Sequence, residues 1–163
     1  MTPMRLGCHN NIERQSGLAV VEFAIILPFI ILMALAVTEL GRGLYQYNTL
    51  TKAVRDGARY LSGTAVDAAG DVDVSPYTTN VQNLVVYGDI DGDGTPLLPG
   101  LSTGNVIVSA IDVTMPGGST LSPNHVQVTA SYNFVPLFPA LSALGYSMIP
   151  TMNATAIERA LKI

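Results

Sequence analysis

The stretch that decides the fold is Gly17-Leu18-Ala19-Val20-Val21-Glu22-Phe23, after which the chain stays apolar as far as Val37. Residues 18–37 make twenty positions with Glu22 as their only charge. A helix needs about 20 apolar residues to cross the roughly 30 Å of bilayer hydrocarbon. The residues that follow the run, Thr38-Glu39-Leu40-Gly41-Arg42, contain no Ala-x-Ala-like cleavage site such as follows the shorter apolar region of a secretory signal peptide. The sequence therefore predicts a transmembrane helix at 18–37, preceded by a polar leader.

The carboxylate of Glu22 needs an explanation, because a charge inside a membrane span costs about 2.5–3.5 kcal/mol on insertion scales. Cleavage after Gly17 supplies one. Leu18 would then carry a free ammonium, and Glu22 of one subunit could neutralise the ammonium of a neighbour. The alternative is an uncleaved signal anchor in which Glu22 extends towards the bilayer surface. The spacing favours cleavage, so residues 1–17 are predicted to be a leader peptide.

The charges that flank the span conflict with this orientation. Two arginines precede the span and four cations follow it, at Arg42, Lys52, Arg55 and Arg59, whereas cationic residues usually stay on the cytoplasmic side. The single cysteine, Cys8, lies in the leader, so the rest of the chain has no thiol to oxidise. We rank the processing junction above the charge count. We therefore predict a single-pass inner-membrane protein with a cytoplasmic leader and an exported C-terminal part.

The helix is predicted to continue beyond the membrane as an amphipathic extension at 38–62. Six apolar residues and one threonine recur there at alternating spacings of four and three, namely Leu40, Leu44, Tyr47, Thr51, Val54, Ala58 and Leu61. That spacing is typical of one face of a helix. Gly63 is a typical C-terminal stop. One helix about 65 Å long, at 1.5 Å per residue, is favoured over two helices hinged at Gly41 and Gly43.

Several motifs in this region resemble the TadE-like family, the minor pilins or pseudopilins of the tight-adherence (Flp-type) pilus system. In chain order they are Gln15-Ser16-Gly17-Leu18-Ala19-Val20-Val21-Glu22-Phe23-Ala24, Leu27-Pro28, Glu39-Leu40-Gly41-Arg42, Tyr45 with Tyr47-Asn48-Thr49-Leu50, and Ala53-Val54-Arg55-Asp56-Gly57-Ala58-Arg59-Tyr60. Residues 126–137 resemble a later part of the same family more loosely. The main pilin of such systems is much shorter, so the large C-terminal part favours a minor component.

The resemblance implies cleavage by a prepilin peptidase, a membrane-held mature form, and a part in assembling an adhesion pilus with other pilins and pilus assembly proteins. On the matching positions, it implies that Gly17 and Leu18 flank the cleaved bond. It also implies that Glu22 is read at the processing site and acts with Phe23 in assembly. The competing class is a membrane-anchored exported binding module, calcium-dependent or not, that never joins a fibre.

Residues 63–163 are predicted to form a small β-rich module, beginning with a loop at 63–76. Runs rich in β-branched residues and bounded by Gly, Pro and Asn predict strands at 81–88, 105–113 and 124–134. A last strand, rather than a short helix, is predicted at 152–160. Pro116-Gly117-Gly118 predicts a hairpin between the second and third runs. Three or four antiparallel strands against the helix would give an α+β, pilin-like fold.

The stretch 136–150 is apolar and has no charged residue. We expect it to cover the sheet, and the alternative is that it contacts the bilayer or a partner subunit.

One acidic run could bind a metal. Asp89, Asp91 and Asp93 alternate and are followed by Gly94, which is typical of the opening of a calcium loop. The bidentate Glu that a complete loop has at its twelfth position is replaced by Gly100. An ordinary Asp/Gly turn accounts for the same residues. We favour the turn and keep calcium as the alternative.

The sequence carries little that is typical of an enzyme or of a nucleic-acid-binding protein. Its two histidines are His9, in the leader, and His125, in a strand-like run, and neither has zinc-type or triad-type neighbours. No Lys or Arg occurs at 61–157, so a basic footprint for nucleic acid is missing there. We therefore predict a non-catalytic protein without a cofactor and without nucleic acid as a partner.

Overall fold

The structure is a computed structural model that describes residues 12–67, 71–112, 125–137 and 151–161. The chain forms two compact units, Met1–Glu39 and Leu40–Ile163, here called unit 1 and unit 2. The described part of unit 1 is entirely helical. Unit 2 contains the rest of that helix, a second helix and a three-stranded sheet.

The first helix, α1, is Ile12–Thr64. It passes through Gly41 and Gly43 without interruption, so the prediction of one long helix is confirmed and the two-helix alternative is wrong. Pro28 lies inside the helix, which membrane helices tolerate better than soluble ones. The helix ends one residue beyond the predicted stop at Gly63, within the usual uncertainty of a helix end.

The buried face of α1 in unit 2 differs from the predicted stripe. The last three members of the stripe are buried as predicted, namely Val54, Ala58 and Leu61. The first three are exposed, namely Leu40, Leu44 and Tyr47. The buried positions in that part are Gly43, Gln46 and Leu50. The prediction was wrong there because it followed the largest apolar side chains, whereas the face that packs also includes a glycine and a glutamine.

Residues 81–88, predicted as a strand, form most of a second helix, α2, which is Thr78–Tyr87. Its buried residues, Val81, Val85 and Val86, have the spacing of one helix face. Gly88 ends α2 in the left-handed conformation, with φ of 79°, and its N–H donates to the Leu84 carbonyl. The strand prediction weighted β-branched content above spacing. Valine lowers helix propensity only slightly, and burial of one face outweighs that penalty.

The sheet contains three antiparallel strands in the order β1 (Val106–Ile111), β2 (His125–Asn133) and β3 (Thr151–Arg159). These are the strands predicted at 105–113, 124–134 and 152–160. The register pairs Val106 with Ala130 and Asn133 with Thr151. The predicted turn at 116–118 and most of the apolar stretch 136–150 lie outside the described residues. The α+β fold class is confirmed.

The core of unit 2 lies between the sheet and the two helices. The inward side of β2 is buried as its alternation predicts, at Val126, Val128, Ala130 and Tyr132. On the outward side, the Thr129 and Thr155 hydroxyls are 3.1 Å apart. Within the predicted loop at 63–76, Val66 and Val72 form an isolated antiparallel bridge, and Ser75–Tyr77 forms a short 3₁₀ helix.

Candidate functional site

The predicted processing junction lies on an uncovered part of α1. Leu18 is 72% exposed, and Gly17 and Glu22 are also exposed. A Cβ added to Gly17 would meet no atom within 4 Å. Packing among the described residues therefore gives no reason for glycine at position 17.

The Gly17–Leu18 bond lies inside a helix, so a peptidase would have to unwind the backbone there. Glycine in a helix interior is about 1 kcal/mol less favourable than alanine. With no tertiary contact at Gly17 to hold the turn, the backbone at this bond is easier to open than at its apolar neighbours. Gly17 would leave room for an enzyme to approach the backbone, and it also lowers the stability of the helix at that position.

Glu22 and Phe23 project from the same uncovered helix. Both are exposed, as are all side chains from 18 to 34. Among the described residues, no hydrogen bond or ion pair involves the Glu22 carboxylate. An exposed carboxylate surrounded by exposed apolar side chains is stable only with a partner outside the chain or with water at a membrane surface.

One helix in the described residues, Gly17–Thr64, contains a stretch long and apolar enough to cross a membrane. None of the side chains in that apolar stretch is buried inside the chain. The core helix of a soluble protein would have buried much of this surface. The predicted span is therefore consistent with the structure.

In unit 2, Arg42 connects α1 to the end of β2. Its guanidinium lies over the Phe134 ring, 4.7 Å from the ring centroid. Its Nη2 donates a hydrogen bond to the Val135 carbonyl. The two contacts join the Glu39-Leu40-Gly41-Arg42 motif to the 126–137 segment, which sequence analysis quoted separately. A cation over an aromatic ring and a charged hydrogen bond are both stronger than neutral contacts.

Tyr132 lies close to this Arg42 contact. It is 2% exposed, and its hydroxyl donates to the Pro99 carbonyl at 3.0 Å. Burial raises the pKa of Tyr132 above 10.0, and the positive charge of Arg42 partly offsets the rise. The loop that contains Pro99 and the strand β2 are thus held together by a neutral phenol.

Gly57 marks the closest approach of α1 to its neighbours. A Cβ on Gly57 would lie 2.8 Å from Cγ2 of Val85, 3.3 Å from Cγ1 of Val81 and 3.8 Å from Cγ1 of Val128. Three elements, α1, α2 and β2, therefore meet at this position. Gly57 belongs to one of the TadE-like motifs, but its place in that motif predicted no contact. Because the partners come from distant parts of the chain, no local pattern could have shown the contact.

Two polar side chains on α1 are buried, which sequence analysis also missed. Glu39 in unit 1 and Gln46 in unit 2 are each 5% exposed. The Oε1 atom of Gln46 is buried and accepts no hydrogen bond from the described residues. A buried acceptor without a donor destabilises the fold by about 1–3 kcal/mol.

The acidic run after α2 forms a set of bends. The Asp89 carboxylate accepts a hydrogen bond from the backbone N–H of Asp91 at 3.1 Å, and Asn83 donates to the Ile90 carbonyl at 3.1 Å. Gly92 and Gly94 have positive φ of 77° and 112°, as turn glycines commonly do. No group of three metal-ligating side chains occurs in the described ranges. Calcium at Asp89, Asp91 and Asp93 stays a prediction.

Residues 17–59 match the family model described as TadE-like protein. The N-terminal region is TadE-like. The resemblance inferred from the motifs is thereby confirmed for the region that holds the junction, the span, Arg42 and Gly57. No curated protein and no solved structure matches the chain. The match supports an association of this TadE-like region with the Tad pilus.

Proposed function

We propose that this TadE-like chain is a minor pilin, or pseudopilin, with a structural and assembly role in a tight-adherence (Flp-type) adhesion pilus. The observation that carries the proposal is that the family match begins at Gly17. That residue is where the sequence, independently, predicts that the leader ends. The role needs no catalysis and no cofactor.

In this proposal, a prepilin peptidase cleaves the bond between Gly17 and Leu18. The exposure of both residues and the open space around Gly17 support access by an enzyme. The mature chain then begins at Leu18 and retains the span at 18–37, so it stays in the inner membrane. The amphipathic extension at 38–62 and the module at 63–163 follow on the exported side.

Glu22 becomes the fifth residue of the mature chain. It then lies in the first turns of a helix, where the macrodipole favours negative charge. The new ammonium on Leu18 of a neighbouring subunit is the partner that neutralises it. Because the bilayer interior screens charges poorly, an unpaired Glu22 is disfavoured and a paired one is stabilised. Assembly therefore selects neighbours that present a processed N-terminus, and the exposed ring of Phe23 adds apolar contact.

The test is the N-terminus of the protein extracted from membranes of cells that contain a prepilin peptidase. N-terminal sequencing and intact mass should show a chain that begins at Leu18. Gly17→Val should retain the full leader, because a branched side chain adjacent to the scissile bond blocks the enzyme. Gly41→Val is the matched control, since Gly41 is also exposed with no atom within 4 Å of an added Cβ. It should be processed normally.

Two results would contradict the proposal. Loss of the leader from the Gly17→Val protein would mean that the cut lies elsewhere. Full-length wild-type protein in the membrane, despite an active peptidase, would favour the membrane-anchored exported binding module instead.

A further inference from the structure

Six of the exposed apolar or aromatic side chains described in unit 2 lie either on the first turns of α1 in this unit or directly after β2. They are Leu40, Leu44, Tyr45 and Tyr47 on α1, together with Val135 and Leu137 after β2. We call this set the apolar collar. Leu44 is 56% exposed and Val135 is 61% exposed, which is far more than a monomeric soluble domain needs to leave uncovered in one place.

The members of the collar lie at one end of unit 2. Val135 is held beside α1 because its carbonyl accepts the hydrogen bond from Arg42. Leu137 follows two residues later in the chain. At the other end of the unit, the backbone N–H of Leu161, just after β3, donates to the Ser62 carbonyl at 3.0 Å. The antiparallel register keeps these ends apart, since Asn133 pairs with Thr151 and His125 pairs with Arg159.

The collar is at the end where the chain enters unit 2 from the predicted span. Leu40 is three residues beyond Val37, so at most about 11 Å of extended chain separates them. The headgroup region adds roughly 5–8 Å to each side of the hydrocarbon. The short chain between Val37 and Leu40 therefore keeps Leu40 within about 11 Å of the end of the span.

The side chains along α1 in unit 2 change character in the order that a membrane surface favours. Leucines come first, at Leu40 and Leu44, and tyrosines follow at Tyr45 and Tyr47. Exposed cations come next, beginning at Lys52, about 18 Å along the helix from Leu40. Tyrosine is enriched at membrane–water interfaces, and lysine and arginine interact with lipid phosphates.

Two acidic side chains of unit 2 lie at the end of the sheet away from the collar. On α1, the buried Glu39 directly precedes Leu40, and the next carboxylate is Asp56. Asp112 directly follows Ile111, which pairs with His125 at the far end of the sheet, and Glu158 also lies near that end. The chain that leaves the collar at Leu137 has no charged residue until Glu158.

From these observations we infer that the collar rests on the lipid bilayer at the end of the span, so that unit 2 lies on the membrane surface. Lipid headgroups and the upper acyl chains are its occupant. Leu40, Leu44, Val135 and Leu137 enter the apolar boundary, and the tyrosines lie at headgroup level. The inference rests on the membrane span alone and holds whether or not the chain enters a pilus.

The test uses single tryptophans, because the chain has none of its own. The full-length protein is reconstituted in phosphatidylcholine vesicles with or without brominated acyl chains, which quench tryptophan on contact. Leu44→Trp and Val135→Trp probe the collar. Ile157→Trp is the matched control, since Ile157 is comparably exposed but lies on β3 near the other end of unit 2. Phe29→Trp reports on the span itself.

We expect bromine quenching and blue-shifted emission at positions 44, 135 and 29, and neither at 157. Quenching at 29 without quenching at 44 and 135 would overturn the inference. If those two emissions are nevertheless blue-shifted, a protein partner covers the collar instead. Absence of quenching at 29 would show that the span is wrong and would overturn the inference as well. Circular dichroism of each variant, compared with the wild type, checks that unit 2 is folded.

Discussion

α1 is one helix that belongs partly to unit 1 and partly to unit 2, and its side chains differ between the two units in how far they are buried. From 18 to 34, every side chain is exposed and nearly all are apolar. In unit 2, α1 buries a face of small and medium side chains that includes Leu50, Val54 and Gly57. The part at 18–34 is apolar, but none of its side chains is buried. In unit 2, the apolar stripe predicted the buried positions of α1 correctly only in its second half. The comparison shows that apolar character alone does not identify which helix face packs inside the chain.

The glycines of α1 express the same contrast. Gly17 and Gly41 have no atom within 4 Å of an added Cβ, whereas the Cβ of Gly57 would come within 2.8 Å of Val85. Packing requires glycine at position 57, whereas no contact among the described residues requires it at position 17. Substitutions in unit 1 should therefore affect assembly, and substitutions in unit 2 should affect the free energy of unfolding.

The largest effect is expected in unit 1, on assembly rather than on folding. Glu22→Ala should leave membrane insertion intact or improve it, since it removes an insertion cost of about 2.5–3.5 kcal/mol. Piliation should be lost, because the ammonium of the neighbouring subunit has no counter-charge. Electron microscopy of cells carrying only this variant measures it, and membrane fractionation is the control. Normal pili on cells that carry only Glu22→Ala would contradict the role proposed for Glu22.

In unit 2, Gly57→Val should lower the free energy of unfolding by about 2–3 kcal/mol, because the new side chain overlaps the buried Val85. Gly41→Ala is the control and should raise stability by up to about 1 kcal/mol through helix propensity. Urea unfolding of the detergent-solubilised protein measures both. Equal stabilities of the two variants would mean that α1 and α2 do not meet at Gly57.

A smaller effect is expected for the link between α1 and the end of β2. Arg42→Ala should destabilise unit 2 by about 2 kcal/mol, because it removes the charged hydrogen bond to Val135 and the contact with Phe134. Arg42→Lys should recover only part of this, since an ammonium cannot stack as a planar guanidinium does. Arg55→Ala, which removes an exposed cation from the same helix, should change stability by less than about 0.5 kcal/mol. An Arg42→Ala protein as stable as Arg55→Ala would contradict the contact.

The pH dependence of unit 2 should reveal the buried phenol of Tyr132. Its pKa is raised in the folded state, so the folded protein keeps a proton that the unfolded chain loses above pH 10. The stabilisation is therefore fully present below pH 10 and is lost as pH rises through the folded pKa. Tyr132→Phe should show a shallower alkaline loss of stability and should be about 1 kcal/mol less stable at pH 7, without the hydrogen bond to Pro99.

Comparison with Arg42→Ala sharpens this prediction, because Arg42 lowers the pKa of Tyr132. Removing the guanidinium should raise the folded-state pKa of Tyr132 further, so the alkaline loss of stability should continue to a higher pH than in the wild type. Identical alkaline profiles for the wild type and Tyr132→Phe would mean that the phenol is solvated.

The smallest effect is expected for calcium. A bound ion would raise stability by about 2.7 kcal/mol at a hundredfold excess over its Kd. Because Asp89, Asp91 and Asp93 form bends without a complete ligand set in the described residues, we expect no change in Tm between tens of millimolar calcium and chelator. A rise in Tm that Asp91→Asn abolishes would instead support the calcium site.

Several features followed from local sequence patterns. The helix through the apolar run at 18–37 was predicted correctly because about 20 consecutive apolar residues are typical of a long helix. The alternation in β2 was predicted correctly because burial of one face of a strand repeats at every second residue. The TadE-like motifs were recognisable because they are contiguous and occur in order. The predicted strand at 81–88 was wrong because β-branched content competed with helical spacing in the same ten residues.

What the sequence determined by itself was a long N-terminal helix with an apolar run at 18–37, followed by antiparallel strands. The junction at Gly17 stays a prediction. The tertiary structure decided which face of α1 is buried, that α2 is a helix packed at Gly57, and that Arg42 reaches Phe134 and Val135. The physical reason is the sequence separation of the residues involved. The hydrophobic periodicity of a helix or strand depends on residues within a few positions of each other, so it can be recognised in a short stretch of sequence. A close approach between α1, α2 and β2 depends on side chains separated by tens of residues, and only the folded chain brings them together.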